Sequence, residues 1–223
     1  MKRIATPELL DSNCGTPAEV AVSLSDLRRI NRWFGGVSTT SSLIAEVARK
    51  SRASSLSLLE VASGSGFVPE ATSHFLQRAG IRLAITLLDR QVSHMNGGNG
   101  RPAIAGDALA LPFRERSFDL VSCCLFAHHL SPVDLVRFIN EALRVCRSAV
   151  VINDVIRHPV HVALVYASLP LYRSRITYHD APASVRQAYT VEEMREILSR
   201  TNAVRVEVGR HFLFRMGIIL WKE

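Results

Sequence analysis

The sequence has no apolar run approaching the roughly 20 residues that cross a bilayer. Its first fifteen residues lack the 7–15-residue apolar core of a secretory signal, so a cytoplasmic protein without a membrane partner is expected. Cysteine is scarce. Cys14, Cys123, Cys124 and Cys146 form no C-x-x-C pair and show no zinc-ligand spacing, so no metal is expected. Cys123 and Cys124 are adjacent in an apolar run and point to opposite faces of a strand; all four are expected as buried free thiols. Lysine is nearly missing: Lys2, Lys50 and Lys222 stand against 24 arginines. The net charge of +7 is split into +3 over residues 1–56, zero over 57–130 and +4 over 131–223, without a Lys/Arg run of five. That dispersal offers no basic stripe for nucleic acid.

What is present is an ordinary globular composition. At 48% hydrophobic the chain is too apolar for disorder, and 223 residues can bury one full core. Apolar runs alternate with helical patterns. Helices are predicted over Ala18–Trp33, Ser41–Arg52, Pro69–Gly80, Pro132–Val145 and Val160–Tyr172, and from the Thr190–Glu193 capping box to about Arg200. Strands are predicted over Leu56–Ala62, Ile81–Leu88, Pro102–Ala105, Phe118–Phe126, Ala149–Val155, Val204–Val208 and Leu213–Trp221. Alternation of this kind means an α/β sheet covered on both faces, and fully apolar central strands suit parallel pairing.

The chemistry concentrates where the first strand meets its helix. Glu60-Val-Ala62-Ser-Gly64-Ser-Gly66 is an acid followed by a tight glycine turn, which lets backbone N–H groups and a helix N-terminus approach a ligand. Alone, such a turn is a weak signal. Asp89 ends the second strand, where a carboxylate can accept both hydroxyls of a ribose. Gly106-Asp107-Ala108 follows the third strand, where an acid and a backbone N–H can meet an adenine edge.

This ordered set resembles the class I S-adenosylmethionine-dependent methyltransferases over about residues 40–221. The run from Gly106 to Asp119, G-D-A-x-x-L-P-F-x-x-x-S-F-D, is similar to the small-molecule branch near the quinone- and sterol-type enzymes. The segments 26–35 and 157–190 look similar to methyltransferases that accompany bacterial polyketide synthases. The resemblance implies a Rossmann-like, seven-stranded, mostly parallel sheet with an antiparallel C-terminal strand and helices on both faces. It implies S-adenosylmethionine as cofactor. Glu60, Gly64 and Gly66 would line its methionine part, and Ala62 stands where the family has its first glycine. Asp89, with Arg90 beside it, would hold the ribose, and Asp107 and Ala108 would meet the adenine. A single domain is expected: a helical cap over residues 1–55, a cofactor core over 56–157, a lid over 158–189, and a closing helix and hairpin over 190–223.

Ligands of open α/β sheets bind beyond the carboxyl ends of the strands. His128 and His129 follow the fourth strand and are candidate general bases. Asp154 ends the fifth strand, and a helical turn would align it with His158; an Asp154–Arg157 ion pair is the structural alternative. Trp33, Phe34, Arg157, His158, Tyr166 and Tyr172 are expected to face an aromatic or acidic acceptor. The expected reaction is methyl transfer to a small, aromatic or polyketide-like molecule, at oxygen. A nucleic-acid methyltransferase and a repurposed cofactor-binding module are the competing readings. A hydride-transferring dehydrogenase shares the glycine turn and ribose acid but fits the Asp107 loop less well.

Overall fold

The computed structural model describes residues 1–12, 14–95 and 100–223. Its strands are β1 (Ser55–Val61), β2 (Arg82–Asp89), β3 (Ala103–Ala105), β4 (Phe118–Cys124), β5 (Cys146–Val155), β6 (Arg205–His211) and β7 (Arg215–Trp221). They form one sheet in the order β3-β2-β1-β4-β5-β7-β6. The first five pair in parallel. The closing hairpin runs antiparallel, with β7 between β5 and β6. The strand order reverses between β1 and β4, which opens a crevice beyond their carboxyl ends.

Seven α-helices surround the sheet among the described residues: α1 (Pro17–Trp33), α2 (Gly36–Ser51), α3 (Phe67–Arg78), α4 (Pro132–Val145), α5 (Pro159–Ser168), α6 (Arg175–Gln187) and α7 (Val191–Leu198). Two apolar cores result. On one face, Ile44 and Val47 of α2 and Leu76 of α3 pack on Leu58, Ile85 and Val151. On the other, Leu135, Phe138 and Ile139 of α4 and Met194 and Ile197 of α7 pack on Val121, Val150 and Ile218. Parallel strands covered on both faces must be apolar throughout, which is why β4 and β5 read as unbroken hydrophobic runs. Local caps agree with the sequence reading. Ser131 accepts from the Asp134 N–H, and Thr190 and Glu193 form the reciprocal capping box.

Several boundaries differ from expectation. Helix α2 begins at Gly36 rather than Ser41, because Gly35 takes a left-handed φ of +82° and reverses the chain immediately. The buried Asn153 amide pins that turn, donating to the Gly36 carbonyl at 2.8 Å and Thr40 Oγ1 at 3.0 Å. Helix α5 stops at Ser168, not Tyr172, and a 3₁₀ turn over Leu169–Leu171 follows. Helix α6 escaped the hydrophobic pattern: Pro182 lies inside it, and Thr177, Asp180 and Gln187 are among its buried residues. The thiols also need correction. Cys123 and Cys146 are buried, but Cys124 is half-buried and Cys14 is exposed on an irregular segment.

The N-terminal residues 1–12 form a strap without helix or strand. The Ile4 N–H donates to the Arg186 carbonyl at 3.1 Å. The Arg3 guanidinium donates to the carbonyls of Gln187, His128 and Leu130 and lies over the Tyr189 ring at 4.2 Å. The N–H groups of Leu9 and Leu10 each donate to one oxygen of Asp180, at 2.9 and 3.0 Å. The buried acid in α6 therefore serves as a clamp for the strap.

Candidate active site

The turn after β1 is built from three left-handed residues: Ala62 at φ +53°, Gly64 at +51° and Gly66 at +69°. Asp89 at the end of β2 ties the turn down. Its Oδ2 accepts from the Gly64 N–H at 2.7 Å and its Oδ1 from the Gln91 N–H at 2.8 Å. Gly66 is required by packing, since a Cβ there would lie 2.7 Å from Leu87 Cδ1. A Cβ at Gly64 would meet no protein atom within 4 Å, so that position is open on its outer side. Ala62 pays for its conformation, because a left-handed residue with a Cβ costs about 1–2 kcal/mol. Ala62→Gly is therefore expected to stabilise the protein by about 0.5–1 kcal/mol, after glycine's larger unfolded-state entropy is subtracted. Urea unfolding measures this, and a destabilised variant would contradict the strain at Ala62.

Glu60, Ala62, Gly64, Asp89, Arg90, Asp107 and Ala108 line one cavity of about 440 Å³, together with His128 and His129. Gly66 does not line it; its place is the turn into α3. Glu60 is 2% exposed and accepts a hydrogen bond from the Ser122 hydroxyl. Burial pushes its carboxyl up to about 7, against the opposing pull of that hydrogen bond. Asp107 Oδ1 accepts from the Leu109 N–H at 2.9 Å, which shapes the loop after β3. Ser63 Oγ, His94 Nε2 and His128 Nε2 are buried without a hydrogen-bond partner, and all three residues line this cavity. Buried polar atoms are nearly always paired, so the three orphans mark a space shaped for a polar ligand.

The His pair sits in a 3₁₀ turn (Ala127–His129) directly after β4. His128 is 1% exposed. Its Nδ1 lies 2.6 Å from Asp154 Oδ1, its backbone N–H donates to Asp154 Oδ2 at 2.9 Å, and its Nε2 lies 3.5 Å from Glu8 Oε1. Burial alone would lower the imidazole, but the charge and hydrogen bond of Asp154, with Glu8, raise it to about 10. In that state His128 keeps its proton at neutral pH, which speaks against the general-base role expected of it. His129 is partly accessible, and its Nδ1 pairs with Asp11 Oδ2 at 2.6 Å.

Other expected site residues are placed elsewhere. Asp154 is fully engaged by His128 and by the Val155 N–H at 2.7 Å, is buried, and does not line the cavity. It lies in β5, so no helical turn aligns it with His158. His158 caps α5 and stacks on Phe214 at 5.1 Å. Arg157 pairs with Glu193 at 2.5 Å, not with Asp154, and donates to the carbonyls of Ala188 and Met1. Trp33 and Phe34 turn away from the cavity at the C-terminal end of α1, and Trp33 is 69% exposed; the same helix presents Leu24, Leu27, Arg28 and Asn31 instead. Tyr166 lies under Arg186, and the Tyr172 hydroxyl bonds Ser168; neither lines the cavity. Of the segment 158–189, only Ser184 reaches it. Sequence reasoning missed Glu8, Leu10 and Asp11 of the strap, which do line it. No local signal marks them, since an irregular segment has no periodicity to read.

Residues 59–152 match a family model described as a methyltransferase domain. No curated protein matches the chain. The fold is similar to a SAM-dependent methyltransferase from Aquifex aeolicus, at 17% identity and a TM-score of 0.62, covering 94% of this chain and all of that one. It is similar to the plantazolicin methyltransferase BamL, solved with a triazolic desmethylPZN analog and SAH, at 14% identity and a TM-score of 0.64, covering 89% of this chain and 90% of that one. It also resembles an O-methyltransferase family 2 protein from Planctomyces limnophilus in complex with apigenin. That likeness has 18% identity and a TM-score of 0.54, and covers 75% of this chain and 50% of that one. Residues 59–152 thus match a methyltransferase domain, and the chain has the seven-stranded Rossmann-like fold of the S-adenosylmethionine-dependent methyltransferases it is similar to.

Proposed function

We propose that the protein transfers a methyl group to a small, aromatic or polyketide-like acceptor, at oxygen. The observation that carries this reading is one cavity that holds both the glycine-turn acids and the His pair under the N-terminal strap. At about 440 Å³ it has the size of a pocket for one drug-sized ligand, as a cofactor needs, and the acceptor then sits at its mouth beside the His pair. Glu8 and Asp11 of the strap put carboxylates on its wall, which repel a polynucleotide's phosphates. The apigenin-bound neighbour supports an aromatic acceptor by analogy of fold.

S-adenosylmethionine, when bound, supplies the methyl group on a sulfonium. The chain's part is to hold and orient. Asp89 keeps lone pairs for the ribose hydroxyls beyond the two backbone bonds it accepts. Asp107 and Ala108 would hold the adenine, and the Glu60 carboxylate would balance the cationic methionine end. Positioning reacting atoms at about 3–3.5 Å can provide most of the acceleration. Of the three expected catalytic groups, only His129 combines a place on the cavity wall with partial exposure, so acceptor activation rests on it.

Calorimetry with S-adenosylhomocysteine tests the cofactor placement. Asp89→Ala should weaken binding by about 1.5–3 kcal/mol, the range for hydrogen bonds to a charged group, roughly 10- to 150-fold. Unchanged affinity removes Asp89 from the site. A screen of small phenols with labelled cofactor tests the acceptor class, and transfer to RNA alone would reject it.

A further inference from the structure

We infer that Glu8, His128 and His129 form a binding site for one divalent transition-metal ion of the zinc class, completed by the N-terminal strap. One ligand atom from each residue lies within 4.8 Å of the other two. Both imidazoles present Nε2 toward the same carboxylate oxygen: Glu8 Oε1 is 3.5 Å from His128 Nε2 and 3.9 Å from His129 Nε2. Ligands held at about 2.0–2.1 Å in a tetrahedral shell stand about 3.4 Å apart, so the two Glu8–imidazole spacings need only a few tenths of an ångström of closure.

The outer shell is equally specific. Each imidazole has its other nitrogen held by a carboxylate at 2.6 Å, His128 by Asp154 and His129 by Asp11. Carboxylate–histidine pairs of this kind orient metal-ligating imidazoles and fix the tautomer that frees Nε2. Ser184 Oγ at 2.6 Å and Gln187 Nε2 at 2.7 Å both donate to Glu8 Oε1, which fixes the carboxylate, and an ion at that oxygen takes the place of one of the two donors. A second, independent observation points to a ligand: His128 Nε2 is buried and has no hydrogen-bond partner, since 3.5 Å to Glu8 is too long for one. An ion at Nε2 takes the place of the proton that His128 otherwise keeps; with both imidazoles then neutral, the cluster holds three carboxylates, Glu8, Asp11 and Asp154, and a dication offsets that charge. Two imidazoles and one carboxylate with an open side suit Zn²⁺ and its neighbours rather than Mg²⁺ or Ca²⁺. The sequence showed no such pattern because the third ligand comes from the far N-terminus.

The binding site stands on this geometry alone. Its role rests on the proposed methyl transfer: on the cavity wall, a Lewis acid lowers the pKa of an acceptor hydroxyl, and His129 then acts through the ion.

Zn²⁺ titration of EDTA-treated full-length protein by calorimetry tests the site, in a Cys14→Ser background that removes the exposed thiol. One ion per chain is expected. Glu8→Gln and His129→Ala should each weaken binding at least about 100-fold, and Asp11→Asn about 10- to 100-fold, as outer-shell changes do. Circular dichroism checks folding; Glu8→Gln preserves shape on the strap and decides the matter should His129→Ala unfold. No uptake by the parent protein, or uptake that survives both ligand substitutions, overturns the inference. S-adenosylhomocysteine is titrated into the same metal-free samples. If it binds while Zn²⁺ does not, the metal site alone falls; if neither binds, the cofactor reading falls as well.

Discussion

Asp154→Ala is expected to lower the unfolding free energy of the metal-free protein by about 3–5 kcal/mol, the usual cost of removing one partner from a buried charge pair. Asp154 and His128 are both nearly inaccessible, and the aspartate accepts three bonds: from the His128 imidazole, the His128 N–H and the Val155 N–H. Removing it strands an imidazolium in the interior and frees two backbone donors. Only Glu8, at 3.5 Å, remains to balance the charge. Asp154→Asn should cost less, since the amide oxygen can still accept from Nδ1. Urea unfolding in EDTA gives the numbers. A loss below about 1 kcal/mol for Asp154→Ala would mean the pair is not the anchor of the β4–β5 edge. The result matters for function because Asp154 was a sequence candidate for catalysis. Its burial makes it a support for the His128 turn.

The second large effect concerns Glu60 and pH. Its carboxyl is pushed up to about 7 by burial, from 4.5 in the open chain. The folded state therefore binds more protons than the unfolded state between these two values. The contribution of Glu60 to stability falls as pH rises through that window, and is flat below 4.5 and above about 7. The whole change amounts to about 3 kcal/mol, from roughly 1.4 kcal/mol per pKa unit. Glu60→Gln should abolish it: equal to the parent near pH 4.5, more stable by up to about 3 kcal/mol at pH 8. Cys123 and Cys124 beside it stay neutral, since burial raises both thiols, the second to about 12. On the proposed placement the cationic end of the cofactor favours the carboxylate. S-adenosylhomocysteine affinity should then rise with pH up to about 7 in the parent and stay level in Glu60→Gln. A stability difference between the parent and Glu60→Gln that stays constant between pH 4.5 and 7 would show that Glu60 ionises as freely inside as outside. The arrangement trades stability of the empty protein for a carboxylate that the ligand calls out.

How much of this was legible in the sequence depends on the range of the forces involved. Strands β1, β4 and β5 were readable because burial on both faces demands unbroken apolar runs. The glycine turn and Asp89 were readable because backbone geometry there leaves few residue choices. Thr190 and Ser131 declared their helices through caps that span three residues. Helix α6 was hidden because its buried face carries a clamp, Asp180, where a hydrophobic residue would have kept the period.

The acceptor side was less legible for a related reason. Residue type alone suggested Trp33, Phe34, Tyr166 and Tyr172, yet none of them lines the cavity. A helix of fixed pitch presents only one stripe inward, and α1 spends that stripe on Leu24, Leu27, Arg28 and Asn31. By itself the sequence determined the sheet, its direction and the acids at the strand ends, because hydropathy period and turn stereochemistry act over a few residues. The tertiary structure alone decided that Glu8 and Asp11 meet His128 and His129, and that His128 is charged against Asp154. Those contacts join segments more than a hundred residues apart, or strand to turn across a sheet edge. They follow from docking complementarity, which leaves no periodic trace in the chain.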